Sequence, residues 1–214
     1  MMSAQRKMWT MMWSRRCLSR RRNLSSMMFY SFEGKAPTIK NSAFIAPSAN
    51  LIGDVIIGDR SSVWYNCTLR GDVNKIEIGN ETNIQDNTVI HVRSSELNEE
   101  PSPTKIGDQV TVGHGAILHA CELHDSSFVG MGAILLDFSI VESQAMVAAG
   151  ALITSGTVVK SGELWAGRPA RKLRDLTLDE RDFIYQSALS YADFAHRHLT
   201  YSHPTTPQTH LEEE

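Results

Sequence analysis

Apolar side chains recur at every sixth residue, and this spacing strongly limits how the chain can fold. An α-helix cannot keep such positions on one side, because each step of six residues slips by about 120° around its axis. The strands of an ordinary β-sandwich alternate with period two and have uneven spacing. The six-spaced series are Ile45, Leu51, Ile57, Val63 and Leu69; Ile78, Ile84 and Ile90; Ile106, Val112 and Leu118; and Val129, Leu135, Val141, Val147, Ile153 and Val159.

A six-residue repeat is the signature of a parallel β-helix. Each hexapeptide supplies a short strand and a corner, and three hexapeptides make one triangular coil. The apolar residues stack inside, so that each coil buries its inner side on the next. Four residues after most of them comes a small or β-branched side chain, such as Cys67, Thr88 or Ala116. We therefore predict a mainly β chain with a parallel β-helix over residues 36–170.

The count of six is interrupted three times. The step is nine residues long over 69–78, sixteen over 90–106 and five over 118–123. The longest step contains the polar stretch "RSSELNEEPSPT", which we expect to form a loop pushed out of one corner.

The segment after the repeat has the spacing of a helix. Thr177 and Glu180 form the pattern of a capping box, so we predict a helix over residues 177–200, packed back along the prism. The remaining residues, 201–214, are expected to be a disordered tail. Residues at helix-like spacing in this segment are Phe183, Ile184, Ser187, Tyr191, Phe194 and Ala195.

The charge of the chain is uneven. Residues 1–32 carry seven basic side chains and no acidic one, whereas the remainder carries 14 basic and 24 acidic side chains. An Arg-rich, Ser-containing and acid-free start is typical of an organelle transit peptide, so we predict that residues 1–28 are a mitochondrial transit peptide. The alternative is a basic N-terminal arm that touches lipid or nucleic acid. Three cysteines are too few for a disulfide framework, and this suits a reducing compartment.

Two of three histidines fall into one column of the predicted prism. We label the three faces of the prism A, B and C in chain order. If the strand starting at Ile90 lies on face A and the long step occupies one corner, counting hexapeptides places residue 106 on face B, residue 112 on face C and Leu118 back on face A. His91 and His119 follow Ile90 and Leu118 directly, one coil apart. Neighbouring strands lie about 4.8 Å apart, which suits two imidazoles on one metal ion.

The third histidine, His114, falls on face C and cannot easily reach the same ion within its own chain. It can do so if a neighbouring copy places its face C against this face A. Such a contact is heterologous, and around a triangular prism it closes as a three-fold ring. The sequence thus predicts a metal site between the subunits of a trimer.

Further polar residues extend the two columns. Arg70 lies in the column of His91, and Gln85 and Asp86 lie in the column of His114. Three neutral histidines with an open fourth position describe a catalytic zinc site, which lowers the pKa of a bound water to around 7. We expect Gln85 to orient the resulting hydroxide. We expect Arg70 to form an ion pair between subunits with Asp72 or Asp86.

At these residues the chain resembles the γ-class carbonic anhydrases. The resemblance covers roughly residues 36–200 and includes "LRGDVNKIEIGNETNIQDNTVIHV", "IGDQVTVGHGAILHAC" and "GELWAGRPARKLRDLT". It implies a left-handed β-helix, a trimer and a metal, Zn²⁺ or alternatively Fe²⁺. The metal ligands would be His91, His114 and His119, and the polar site residues would be Arg70, Asp72, Gln85, Asp86 and, on the C-terminal helix, Tyr191.

With its basic leader the chain looks most like the γ-carbonic anhydrase subunits of mitochondrial respiratory complex I. This likeness implies a homo- or heterotrimer with similar chains, attached to the membrane arm of complex I on the matrix side of the inner membrane. The substrates would be CO₂ and bicarbonate, and no nucleic acid is expected to bind. The chain departs from the family at Val73, where well-studied members carry a glutamate proposed to shuttle protons, and at Phe138, where relatives usually have glycine.

Two other functions compete with reversible CO₂ hydration. One is a structural trimer subunit of complex I that binds metal but is weakly active or inactive. The other is a hexapeptide-repeat acyltransferase, which shares the β-helix. Such acyltransferases typically use one interface histidine as a base and need no metal, so three converging histidines argue against this alternative.

Overall fold

The chain forms a parallel β-solenoid of seven triangular coils, followed by one helix. The structure is a computed structural model of a single chain and describes residues 28–94 and 102–201. The mainly β architecture predicted from the six-residue spacing is confirmed. Nearly all of the predicted transit peptide and all but the first residue of the predicted tail lie outside the described residues.

The three faces of the prism follow the predicted order A, B, C along the chain. Strands β4 and β6 bend around a corner and so belong to both face A and face B. The strands of face A are β1 (Met28–Tyr30), β4 (Asn50–Ile57), β6 (Thr68–Ile78), β8 (Val89–His91), β11 (Ile117–His119), β14 (Ile134–Leu135) and β17 (Leu152–Ile153). Face B adds β2 (Thr38–Ile39), β9 (Thr104–Ile106), β12 (Glu122–Leu123), β15 (Ile140–Val141) and β18 (Val158–Val159).

Face C contains one strand from each coil and ends in a hairpin. Its last two strands pair antiparallel, whereas the other pairs are parallel. The strands are β3 (Phe44–Ile45), β5 (Ser62–Val63), β7 (Asn83–Ile84), β10 (Thr111–Val112), β13 (Phe128–Val129), β16 (Met146–Val147), β19 (Glu163–Gly167) and β20 (Ala170–Asp175).

The core consists of stacked columns of the six-spaced residues. On face A, the coils from β4 to β17 are paired in register, and the inward side chain of each is fully buried. Full burial of one such aliphatic side chain stabilises the fold by roughly 1.5–3 kcal/mol. The column on face A is Leu51, Leu69, Ile90, Leu118, Leu135 and Ile153.

All three interruptions of the repeat fall at the corner between faces A and B, in successive coils. The register on face B is nevertheless unbroken, because Lys105 pairs with both Glu77 below and Glu122 above. Most of the longest step, residues 95–101, lies outside the described residues. The backbone N–H of Arg93 donates to the carbonyl oxygen of Ser102 at 3.0 Å, which brings the two described ends of this step together.

Two glycines on face C allow the coils beside His114 to approach closely. A Cβ atom on Gly113 would lie 2.6 Å from the backbone nitrogen of Met131, and one on Gly130 would lie 2.4 Å from that of Ala149. Both distances are shorter than side-chain atoms tolerate. Glycine at position 113 therefore fixes the spacing of the coil that carries His114.

The helix α1, Leu178–Tyr201, begins at the predicted capping box. The hydroxyl of Thr177 accepts from the backbone N–H of Glu180 at 3.2 Å, and the Glu180 carboxylate accepts from the backbone N–H of Thr177 at 2.9 Å. The helix packs on β3, β5, β7 and β10 of face C. Within the described residues, no helix combines the length and the apolar character needed to cross a membrane.

The buried side of α1 differs from the stripe that the sequence predicts to face the prism, which is formed by the six residues at helix-like spacing. Phe183 and Phe194 remain 53% and 42% exposed, although both belong to that stripe. Small side chains let a helix approach a flat sheet closely, and large rings are then displaced to the margins of the contact. The buried residues of α1 are Ile184, Ala188, Ala192 and Ala195.

Candidate metal centre

His91 and His119 lie on neighbouring strands of face A with their rings facing each other. They are paired residues of β8 and β11, and the ring centroids are 5.2 Å apart. The Nδ1 atom of His91 is 3.2 Å from the Nε2 atom of His119. Two nitrogens bound to one tetrahedral zinc at about 2.0–2.1 Å lie about 3.3 Å apart. The two rings are therefore spaced as two ligands of one metal ion would be.

A carboxylate stands behind each of these rings. Asp72 Oδ1 lies 3.0 Å from His91 Nε2, and Asp137 Oδ1 lies 2.5 Å from His119 Nδ1. A neutral imidazole that donates its N–H to such a carboxylate keeps a lone pair on its other nitrogen. In both rings that other nitrogen is the one facing the partner histidine. This carboxylate–histidine arrangement is typical of metal ligands, because it fixes both the tautomer and the orientation of the ring.

The electrostatic environment favours neutral His91 beside ionised Asp72. Burial lowers the pKa of His91, and the hydrogen bond to Asp72 offsets this only in part. Burial raises the pKa of Asp72, but hydrogen bonds from Arg70 and His91 outweigh it, so that this pKa lies below its usual value. The imidazole is thus held in the form that binds metal.

Arg70 pairs with Asp72 of its own chain. Its Nη1 atom lies 2.5 Å from Asp72 Oδ2. The sequence predicts that Arg70 pairs across the subunit interface with Asp72 or Asp86. A contact of Arg70 with Asp72 or Asp86 of another subunit stays a prediction.

His114 lies on another side of the prism, just beyond β10. Its Nδ1 atom is 2.9 Å from Asp86 Oδ2, so this ring too has a carboxylate at one nitrogen, and its side chain is 45% exposed. The other oxygen of Asp86 accepts from the backbone N–H of Tyr65 at 3.2 Å. Each of the three histidines is therefore oriented by one aspartate, His91 through Nε2 and the other two through Nδ1.

Gln85 and Tyr191 border the same groove as His114, between α1 and face C. Gln85 is buried, and its amide donates to Asn83 Oδ1 at 3.1 Å. Tyr191 packs edge-on against the Trp64 ring at 5.5 Å. Burial, and after it the charge of Asp86, raises the pKa of the Tyr191 phenol.

The predicted site residues thus form two separate groups in one chain. Among the residues that the structure describes, no three His, Cys, Asp or Glu side chains are placed to hold one metal ion. We call Arg70, Asp72, His91, His119 and Asp137 half-site A. We call Gln85, Asp86, His114 and Tyr191 half-site C.

Asp137 and its partner Arg93 are not among the site residues predicted from the sequence. The Arg93 Nη1 atom lies 2.7 Å from Asp137 Oδ2. Burial raises the pKa of Asp137, but hydrogen bonds from His119 and Arg93 outweigh it, and the pKa lies below its usual value. A signal was present in the sequence, since the five-residue step at 118–123 marks an unusual corner directly beside His119.

The described cysteines do not contribute to this centre. Cys67 and Cys121 are buried inside the prism, and burial raises the pKa of each thiol to about 12. Metal binding requires the thiolate, which such surroundings disfavour.

The coils define the class to which the protein belongs, the hexapeptide-repeat proteins. A family model described as bacterial transferase hexapeptide (six repeats) matches residues 36–71. The structure of a hexapeptide transferase family protein from Anaplasma phagocytophilum is 48% identical and superposes with a TM-score of 0.74, covering 79% of this chain and 97% of its own.

Two plant relatives define the family more closely. Gamma carbonic anhydrase 1, mitochondrial, from Arabidopsis thaliana is 52% identical over 85% of this chain. Gamma carbonic anhydrase 2, mitochondrial, from the same plant is 48% identical over 91% of this chain. The chain spans 64% of the length of the first and 68% of the second. It belongs to the gamma carbonic anhydrase family, and membership implies a metal cofactor.

Proposed function

We propose that the protein is a subunit of a trimeric, metal-dependent carbonic anhydrase that interconverts CO₂ and bicarbonate. The observation that carries this proposal is the pair of ring nitrogens of His91 and His119, 3.2 Å apart, with a carboxylate behind each ring. Half-site C of a neighbouring subunit would add His114 as the third ligand. The metal would be Zn²⁺, with Fe²⁺ as the alternative.

Apolar surfaces beside both half-sites support a trimer. Val89 and Ile117 point outward on the same strands as His91 and His119, and they are 42% and 43% exposed. Half-site C borders a groove of about 770 Å³ whose walls include Met131, Phe183 and Phe194. Since the two surfaces belong to different faces, their contact would be heterologous, and such contacts close into a ring when the rotation allows it.

The residues of the two half-sites fit the chemistry of CO₂ hydration. When bound by three histidines, the metal would supply a water molecule whose pKa is lowered to around 7. Asp72 and Asp86 would hold the outward protons of His91 and His114. The Gln85 amide, fixed by Asn83, would orient the reacting water. Apolar neighbours such as Ile117 suit CO₂, which carries no charge.

A second candidate is a metal-binding structural subunit with little or no activity. The observation that favours it is Val73, an exposed apolar side chain directly after Asp72. Valine cannot carry protons, so turnover would be slow unless another group moves them. The acyltransferase alternative is consistent with the name of the hexapeptide family, but it does not account for two histidines spaced as metal ligands.

The test of the proposed function is metal analysis combined with a CO₂ hydration assay on the purified trimer. We expect about one metal ion per chain, because a ring of three subunits has three interfaces. Removing the metal with a chelator should abolish hydration, and adding Zn²⁺ or Fe²⁺ back should restore it. Full metal occupancy without hydration would favour the structural subunit. A metal-free trimer that transfers acyl groups would favour the acyltransferase.

We also propose that the trimer, homo- or heteromeric, belongs to the membrane arm of complex I on the matrix side of the mitochondrial inner membrane. The basic, acid-free start of the chain and the mitochondrial names of the plant relatives support this location. A fusion of residues 1–35 to a fluorescent reporter should enter mitochondria. A variant of this fusion in which the seven basic residues of positions 1–32 are replaced by glutamine is the control and should stay in the cytosol. A cytosolic wild-type fusion would contradict the predicted import.

A further inference from the structure

We propose that Asp137, held by Arg93, is a positioning residue that fixes the His119 ring for metal binding. This inference rests on the proposed function, because it concerns the same metal centre. It assigns a role to Asp137 of half-site A and adds Arg93 behind it, and neither side chain is proposed as a metal ligand.

Asp137 bridges two groups through its two carboxylate oxygens. Oδ1 lies 2.5 Å from His119 Nδ1, and Oδ2 lies 2.7 Å from Arg93 Nη1. The Asp137 side chain is 20% exposed and that of Arg93 is 25% exposed, so water competes only weakly for these bonds. With Nδ1 protonated and bound to Asp137, the His119 ring presents its Nε2 lone pair toward His91.

The five-residue step explains how Arg93 reaches Asp137. Arg93 belongs to the coil below His119, and Asp137 belongs to the coil above it. The corner between them is one residue short and consists of Ala120 and Cys121, both small and fully buried. No long side chain therefore stands between the guanidinium and the carboxylate, which are 44 residues apart in sequence.

Phe138 holds Arg93 from another side. The Arg93 guanidinium carbon lies 5.2 Å from the centre of the Phe138 ring, within the range of a cation–π contact. Phe138 also adopts a φ of 61°, a left-handed conformation that is costly for a bulky residue. The aromatic ring thus marks a corner at which a side-chain contact to Arg93 accompanies a strained backbone.

The carboxylate should matter for affinity as well as for orientation. A carboxylate that accepts the N–H of a ligating imidazole makes the other nitrogen more basic, and loss of such a partner weakens metal affinity by about 10- to 100-fold. Asp137→Ala removes the acceptor. Asp137→Asn keeps an oxygen at similar distance but removes the charge, so its metal affinity should fall between those of wild type and Asp137→Ala.

The experiment is a chelator-competition titration of the full-length trimer with Co²⁺ and Zn²⁺, together with the visible absorption spectrum of the Co²⁺ form. Glu142→Ala is the matched control, because it removes a carboxylate paired with Lys160 at 2.8 Å, away from both half-sites. We expect Asp137→Ala to weaken binding by about 10- to 100-fold and to alter the Co²⁺ spectrum, whereas Glu142→Ala should change neither.

The outcomes separate this inference from the proposed function. If wild-type trimers bind no metal, the proposed function and this inference both fail. If wild type binds metal, His119→Ala loses it and Asp137→Ala binds as tightly as wild type, only the role of Asp137 is overturned. If Asp137→Ala does not assemble, Asp137→Asn decides, and unchanged affinity with an unchanged Co²⁺ spectrum would overturn the role of Asp137.

Discussion

Mixed trimers of His91→Ala and His114→Ala chains should bind metal at about a quarter of their interfaces, because one of the four ordered pairings of neighbours carries all three histidines. Neither parent trimer should bind any. A His114→Ala chain still offers His91 and His119, and a His91→Ala neighbour still offers His114. The readout is bound metal per chain after the two variants are refolded together in equal amounts.

The matched control is a mixture of His91→Ala and His119→Ala chains. Both variants are defective in half-site A, so no pairing between them restores a complete site. Size measurement must first show that every mixture forms trimers. Well-formed trimers of His91→Ala and His114→Ala that recover no metal would falsify a site shared between subunits.

Leu118→Ala should lower the free energy of unfolding by about 2–5 kcal/mol, the usual cost of a cavity at a buried leucine. Leu118 is fully buried between Ile90 below and Leu135 above, at the middle of the prism. Rigid coils on both sides leave little freedom for the cavity to collapse. The measurement is urea unfolding with a chelator present, since bound metal would add its own stabilisation.

Leu173→Ala is the control for this cavity. It removes the same atoms from a side chain that is 63% exposed, and it should change the unfolding free energy by no more than about 0.5 kcal/mol. Equal losses at both positions would mean that the stacked interior contributes no more than the surface. Because Leu118 precedes His119, metal affinity of the variant should be measured as well.

Counting residues predicted the faces of the prism and the pairing of His91 with His119. This succeeds because each strand must return its inward side chain to the same column, and a slip of one residue would expose the whole column. Once Leu118 is placed above Ile90, the residues that follow them in the two strands, His119 and His91, must also lie one above the other. The same count assigns His114 to face C, where the structure has it.

Counting could not predict contacts that depend on the length of a side chain. The bond between Arg93 and Asp137 spans two coils, and neither residue occupies a repeating position. The orientation of α1 also escaped prediction, because its close approach to face C favours Ala188 over Phe183. Arg70 lies in the predicted column, but its contact with Asp72 of its own chain depends on local geometry.

The stacking of all three irregular steps at one corner has a consequence for how such proteins are recognised. The hexapeptide family model matches residues 36–71, the length of six hexapeptides, and five more coils follow in space. What repeats in this molecule is the position of each strand along the solenoid axis. The number of residues between successive strands varies at that corner. A strict six-residue count therefore loses its phase at that corner, whereas the strand pairing on face B continues across it.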